Sequence, residues 1–126
     1  MSLITQKVVL AGSKGRKEVI AFFDSGASYS CINRETAEGL AHLEPLSEAM
    51  EFETAEKESF LVADFRITAD FFFEDTTRRF TDELIVIDGL SEELIIGATT
   101  MQKWKIRLDF EHEEVLYDKK MHRLRI

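Results

Sequence analysis

The chain has one cysteine and one proline in 126 residues. A lone Cys31 excludes an internal disulfide framework and is compatible with a reducing compartment. Of its two readings, reactive thiol or buried small residue of a strand, the second fits its neighbours Cys31-Ile32 better. Pro45 is the only proline, glycines number six, and no Pro/Ser-rich tract, repeat or low-complexity segment interrupts the chain. A single domain over residues 1–126 is therefore expected, with residues 1–3 read as a start added for expression.

Positive charge is scarce. Sixteen Lys and Arg stand against 24 Asp and Glu, a formal net charge of −8. A phosphate backbone needs a basic face, and Arg78-Arg79 and Lys119-Lys120 are pairs rather than patches, so no nucleic-acid partner is expected. Long apolar runs are missing too. The longest, such as Val8-Val9-Leu10-Ala11 and Leu94-Ile95-Ile96, are far below the length of a leader or a membrane-crossing helix, so no membrane partner and a cytoplasmic location are expected. His42, His112 and His122 are scattered without ligand spacing, and no metal or other cofactor is expected. Gly12-Ser13-Lys14-Gly15-Arg16 lacks the spacing and final Lys-Ser/Thr of a phosphate loop.

What the chain does have is phenylalanine, ten residues of it, in short apolar runs separated by turn residues. That pattern suits an all-β barrel or sandwich. Strands are expected at 7–11 and 18–23 around a Gly12–Gly15 hairpin, at 29–32, 50–54, 60–73, 81–87 and 94–96, then a hairpin at 106–110 and 115–117, and a last strand at 121–126. In the longest, Phe65, Ile67, Ala69, Phe71 and Phe73 alternate with Arg66, Thr68 and Asp70, the period of a half-buried strand. Two short helices are expected: one capped by Asn33 and running to about residue 38 with Gly39 near its end, the other over 98–103.

The most informative stretch is Phe22-Phe23-Asp24-Ser25-Gly26-Ala27-Ser28. An apolar strand delivers a carboxylate onto a tight turn. Ser25 can hydrogen-bond locally, and Gly26 removes a steric bar to close approach. Further on, Leu94-Ile95-Ile96-Gly97 enters a short helix. No histidine is suggested as a base for Ser25 or Ser28, so serine nucleophile chemistry has no support.

These two segments, in this order and in a chain of this size, resemble the retropepsin-like aspartic proteases, the single-lobe relatives of pepsin. The resemblance spans most of the chain. It implies a closed six-stranded-type β-barrel of the acid-protease fold with one or two short helices. It implies aspartic endopeptidase activity on polypeptides, with Asp24 catalytic and Ser25, Gly26, Ala27 and Ser28 forming the active-site loop. Ile95, Ile96 and Gly97 would line the substrate cleft. A flap hairpin would have its tip at Ala55, Glu56, Lys57, Glu58 and Ser59, a segment without the glycine that family flap tips commonly carry.

Only one Asp-Ser-Gly is present. Asp64, Asp70, Asp75, Asp82 and Asp88 have no Ser/Thr-Gly after them, and Asp109, between Leu108 and Phe110, lacks the glycine turn. The resemblance therefore implies a homodimer in which Asp24 meets Asp24 of a second copy across a two-fold axis, with part of the contact from the terminal strands, residues 4–11 and 121–126. Retroviral members carry an Asp and an Arg at the places of Ser28 and Ala98, which makes this chain look cellular rather than viral. Two other readings stand beside the protease. One is a non-catalytic peptide-binding or dimerisation module on the same fold, which the glycine-free flap motivates. The other is a protease whose dimerisation is driven by flanking domains. Trp104 is read as a core or dimer contact.

Overall fold

The alternating run of the sequence becomes the longest strand and the hinge of the architecture. The computed structural model describes residues 3–53, 60–74 and 76–119. In chain order the elements are β1 (Leu3–Ala11), β2 (Arg16–Asp24), β3 (Cys31–Asn33), α1 (Arg34–Leu40), β4 (Glu44–Glu53), β5 (Phe60–Phe73), β6 (Phe80–Ile87), β7 (Leu94–Ile96), α2 (Ala98–Trp104), β8 (Arg107–Asp109) and β9 (Glu114–Leu116). The main sheet runs β1-β2-β7-β3-β6-β5-β4, and β1 also pairs β5. Six strands thus close into a barrel, and β4 hangs off β5 outside the ring.

β5 makes this possible by sharing one edge between two partners. Its first half pairs β4 from Phe60 to Arg66, and its end, Asp70–Phe73, pairs Val8–Ala11 of β1. The other edge pairs β6 from Phe65 to Phe71. Closure removes exposed edges from the ring. Residues 8–11 of β1 have both edges occupied within the chain, one by β2 and the other by β5.

Inside the barrel, one face of each strand converges. Val8 and Leu10, Val19, Ala21 and Phe23, Ile67, Ala69, Phe71 and Phe73, Leu94 and Ile96 form one buried cluster. At one end Phe73 stacks on Tyr117 at 4.0 Å and Phe71 on Phe80 at 5.1 Å, while Trp104 meets Phe80 edge-on at 5.7 Å. Such pairs each contribute about 0.5–1.5 kcal/mol beyond their area. Trp104 also donates its indole N–H to the Thr81 carbonyl at 3.1 Å, so it belongs to the core periphery. Arg78 is buried, with its guanidinium 4.7 Å over Phe80 and Nη1 donating to the Asp118 carbonyl. This cation holds the segment after β9 against the barrel.

Asn33 caps α1 as its sequence position implies, its side chain accepting from the Thr36 N–H at 2.8 Å. Gly39 lies inside that helix and Ala41 is its C-cap. β4 begins at Glu44, earlier than expected from the sequence. It is an edge strand, where proline is tolerated, and its register shifts between Pro45 and Met50. The expected strand at 121–126 and the flap tip at 55–59 lie outside the described residues.

Candidate active site

Asp24 is placed by the period of β2. Val19, Ala21 and Phe23 point into the barrel and are buried, so Ile20, Phe22 and Asp24 occupy the outer face. Asp24 is half-buried at the strand end. The chain then turns on that carboxylate: Gly26 N–H donates to Asp24 Oδ1 at 2.8 Å, and Ala27 N–H donates to the Asp24 carbonyl at 3.1 Å. This is an Asx turn, in which the aspartate side chain mimics a backbone turn. Ser25, Gly26 and Ser28 are exposed and Ala27 is half-buried.

The loop is fastened to the start of α2. The first N–H groups of a helix have no partner within it, and α2 has no side-chain cap. Ala98 N–H donates instead to the Ala27 carbonyl at 2.7 Å, and Thr99 N–H to the Ser28 carbonyl at 3.2 Å. Thr99 Oγ1 donates to the same Ser28 carbonyl at 2.8 Å. Beneath, the buried Ser30 hydroxyl accepts from Gly97 N–H at 3.0 Å and shares a hydrogen bond with Thr100 Oγ1. Neutral backbone and hydroxyl bonds therefore tie loop to helix at Ser28 and Ala98. The sequence reading did not find Ser30, Thr99 or Thr100. Their hydroxyl chemistry was visible, but their proximity needs the fold.

Gly97 explains why an apolar pair must be followed by glycine. A Cβ there would stand 2.5 Å from the Tyr29 carbonyl oxygen and 2.9 Å from that of Ala27. Both are backbone atoms, so nothing flexible can give way. The preceding pair splits by alternation. Ile96 is fully buried in the barrel core, whereas Ile95 is half-buried on the outer face. This corrects the expectation that both line a cleft: Ile96 supports the site from beneath, and only Ile95 offers surface to it.

A row of outer-face side chains crosses four strands. Phe22 of β2 pairs with Ile95 of β7, Ile95 with Cys31 of β3, and Cys31 with Ile85 of β6. Cys31, Ala63, Ile85 and Ile87 form a second buried cluster, with Met50, Phe52, Leu61, Leu90 and Ile95 packed on it. The β4–β5 hairpin covers this row, turning Met50, Phe52 and Leu61 toward it. The product is a second apolar cluster on the outer face of the barrel, covered by the arms of a hairpin. Burial pushes the Cys31 thiol up to about 12, so it is protonated and inert rather than a nucleophile.

One titratable cluster lies elsewhere. Asp109, Glu111 and His112 gather at the β8–β9 turn, with His112 Nδ1 2.8 Å from Asp109 Oδ2. In the sequence His112 has no ligand spacing to another histidine. Here the ion pair accounts for both residues.

The aspartyl protease family pattern matches residues 7–100 of the chain, from β1 into α2. Comparison with curated protein sequences gives no match. Among solved structures, the chain is similar to the retroviral protease-like domain of Ddi1 from Leishmania major, with a TM-score of 0.68 and 21% identity over 93% of this chain and 90% of that one. At that identity the likeness is one of fold, and it spans both chains nearly end to end.

Proposed function

The chain belongs to the aspartyl protease family and has the retropepsin-like fold, and on that premise we propose that it is an aspartic endopeptidase whose active site is completed by a second copy of itself. The observation that carries this reading is the loop tether: Asp24 sits at a strand end, its turn fixed by Gly26 and its loop fastened to α2 through Ala27, Ser28 and Ser30. Such fixation suits a group that must meet a partner within about 3 Å.

Peptide hydrolysis needs a base to activate water and an acid to protonate the leaving nitrogen. Two carboxylates in contact do not both ionise easily, so they hold one proton between them. Aspartic proteases are themselves the standard example of this coupling. One Asp24 then acts as base and the other as acid at the same pH, with a water between them as nucleophile. The resulting titration belongs to the pair and not to either residue. Ser25 and Gly26 would hold the two loops together. Ala27, Ser28 and Ile95 would face the peptide, with Gly97 and Ile96 supporting them. The hairpin of β4 and β5 would close over it and exclude water. No cofactor enters this chemistry. The single domain over residues 1–126 is part of the same proposal, as is a cytoplasmic location; no helix among the described residues is long and apolar enough to cross a membrane.

Digestion of a peptide library by the wild type and by Asp24→Asn, between about pH 4 and pH 7, tests the reading. Cleavage by the wild type that Asp24→Asn abolishes supports it. A dimeric wild type that cuts nothing contradicts it and favours the peptide-binding module, the reading that the glycine-free segment 55–59 motivates.

A further inference from the structure

The β4–β5 hairpin has two sides, and the fold uses one of them. Met50, Phe52, Leu61 and Ala63 turn inward to the outer-face cluster, where Phe52 also meets the Tyr29 ring edge to face at 6.2 Å. By the period of a strand, Phe60, Val62 and Asp64 stand on the other side of β5, with Glu51 and Glu53 on the same side of β4. The register sets Glu53 opposite Phe60 and Glu51 opposite Val62. All five are exposed. Phe60, at 60%, is the most exposed large apolar side chain among the described residues, and Val62 follows two positions on at 47%. Neither β4 nor residues 60–65 of β5 contains a lysine or arginine. The next cation along β5, Arg66, is engaged by Glu44 at 3.8 Å and by Glu83 at 3.0 Å. Among the described residues, no lysine or arginine pairs with Glu51, Glu53 or Asp64.

We infer that this outer face of the hairpin is a docking surface for an extended segment of another polypeptide in which basic and apolar residues alternate. One exposed apolar residue would need no explanation. Here two stand side by side on one strand, ringed by carboxylates that no cation offsets. Their spacing, two residues or about 7 Å, is also that of every second side chain in an extended peptide. Cross-strand neighbours stand about 5 Å apart, so an apolar side chain covering Phe60 and Val62 brings its Lys or Arg neighbours within reach of Glu53 and Glu51. Burying the apolar pair supplies the affinity. The carboxylates at its edge keep much of their hydration, so they select the sign of the partner and speed its approach rather than add strength. The chain's net charge of −8 steers in the same direction. An acidic segment would set like charges face to face, and a polar one would cover the phenyl ring without gain. Asp24 takes no part, so the inference stands or falls apart from the protease reading.

The test is a binding measurement on the full chain carrying Asp24→Asn, so that no cleavage disturbs it. Short labelled peptides are titrated by fluorescence anisotropy: one alternates Lys with Val, a second has Glu for every Lys, and a third has Ser for every Val. The Lys–Val peptide is expected to bind at least about tenfold more tightly than either control, the scale on which lost interface anchors are felt. Its affinity should fall as salt rises from about 50 to about 500 mM. Phe60→Ser with Val62→Ser should weaken it about tenfold. Glu51→Gln with Glu53→Gln should weaken it less and flatten the salt dependence. Circular dichroism checks that both double variants fold, and the glutamine pair carries the test if the serine pair does not. Absence of binding, equal binding of the Lys and Glu peptides, or an affinity that neither pair moves overturns the inference. So does sedimentation in which the serine pair dissolves a self-association and leaves peptide binding unchanged, since the face is then a contact between copies of this chain.

Discussion

Gly97 and Tyr29 approach so closely that a single added carbon at position 97 would lie 2.5 Å from the Tyr29 carbonyl oxygen and 2.7 Å from its carbonyl carbon. That contact joins the loop bearing Asp24 to the start of α2, and it makes glycine a requirement of the site's geometry rather than of a turn. Gly97→Ala is expected to destabilise the fold by about 1–3 kcal/mol, the usual cost of overpacking, read as a lower urea midpoint. Gly39→Ala is the control. It lies in α1 with nothing within 4 Å of an added Cβ, so it should raise stability by up to about 1 kcal/mol. Equal effects of the two substitutions would contradict the close-approach account.

Ser30 serves two buried partners, Gly97 N–H and the Thr100 hydroxyl. Among the described residues no buried side-chain nitrogen or oxygen lacks a partner, so this network is complete as it stands. Ser30→Ala strands both partners and is expected to cost about 1–3 kcal/mol. Ser30→Thr, which keeps the hydroxyl, should cost less if its methyl is accommodated. Denaturant unfolding of both variants checks this, and a neutral Ser30→Ala would show that the tether holds nothing.

Cys31 lies in the apolar row beside Asp24, and burial pushes its thiol up to about 12. A chromogenic disulfide reagent at about pH 8 is expected to leave the native protein unmodified and to label one thiol after denaturation. Labelling of native protein at the rate of a free thiol would contradict the packing of the cluster around Cys31.

His112 and Asp109 form an ion pair at the β8–β9 turn. The hydrogen bond to Asp109 raises the His112 pKa above its ordinary 6.5, and the bond to His112 lowers that of Asp109 below 3.8. The sign follows from linkage. The histidine's contribution is complete below pH 6.5 and is lost as pH rises through its raised value. The aspartate's is complete above pH 3.8 and is lost as pH falls through its lowered value. Nuclear magnetic resonance titration of the His112 ring should show the raised midpoint, and Asp109→Asn should return it toward the ordinary value. An unchanged midpoint in Asp109→Asn would refute the pairing.

Local chemistry was legible in the sequence; long-range meeting was not. Asp24 on its glycine turn, the Asn33 cap and the alternation of 65–73 follow from residue type and period, and the fold has them where the sequence implies. The Ile95–Ile96 pair was half legible. Its apolar character was plain, but which side chain faces inward depends on the pairing of β7 between β2 and β3. β4 was read late because an edge strand with glutamates along its outer face and a register shift near Pro45 has no clean period. Arg78 looked like a surface cation, since only the fold shows Phe80 beneath it and Asp118 beside it. The Tyr29–Phe52 contact joins residues 23 positions apart through a hairpin that no local pattern orients.

The central claim is that one chain supplies half an active site, and mixing measures it most directly. Wild type and Asp24→Asn are combined at constant total concentration, allowed to exchange subunits, and assayed on a peptide substrate. If each site needs Asp24 from both chains, activity should fall as the square of the wild-type fraction, because every mixed dimer is dead. Activity that falls in simple proportion to that fraction would mean each chain works alone, and the two-fold site would be wrong.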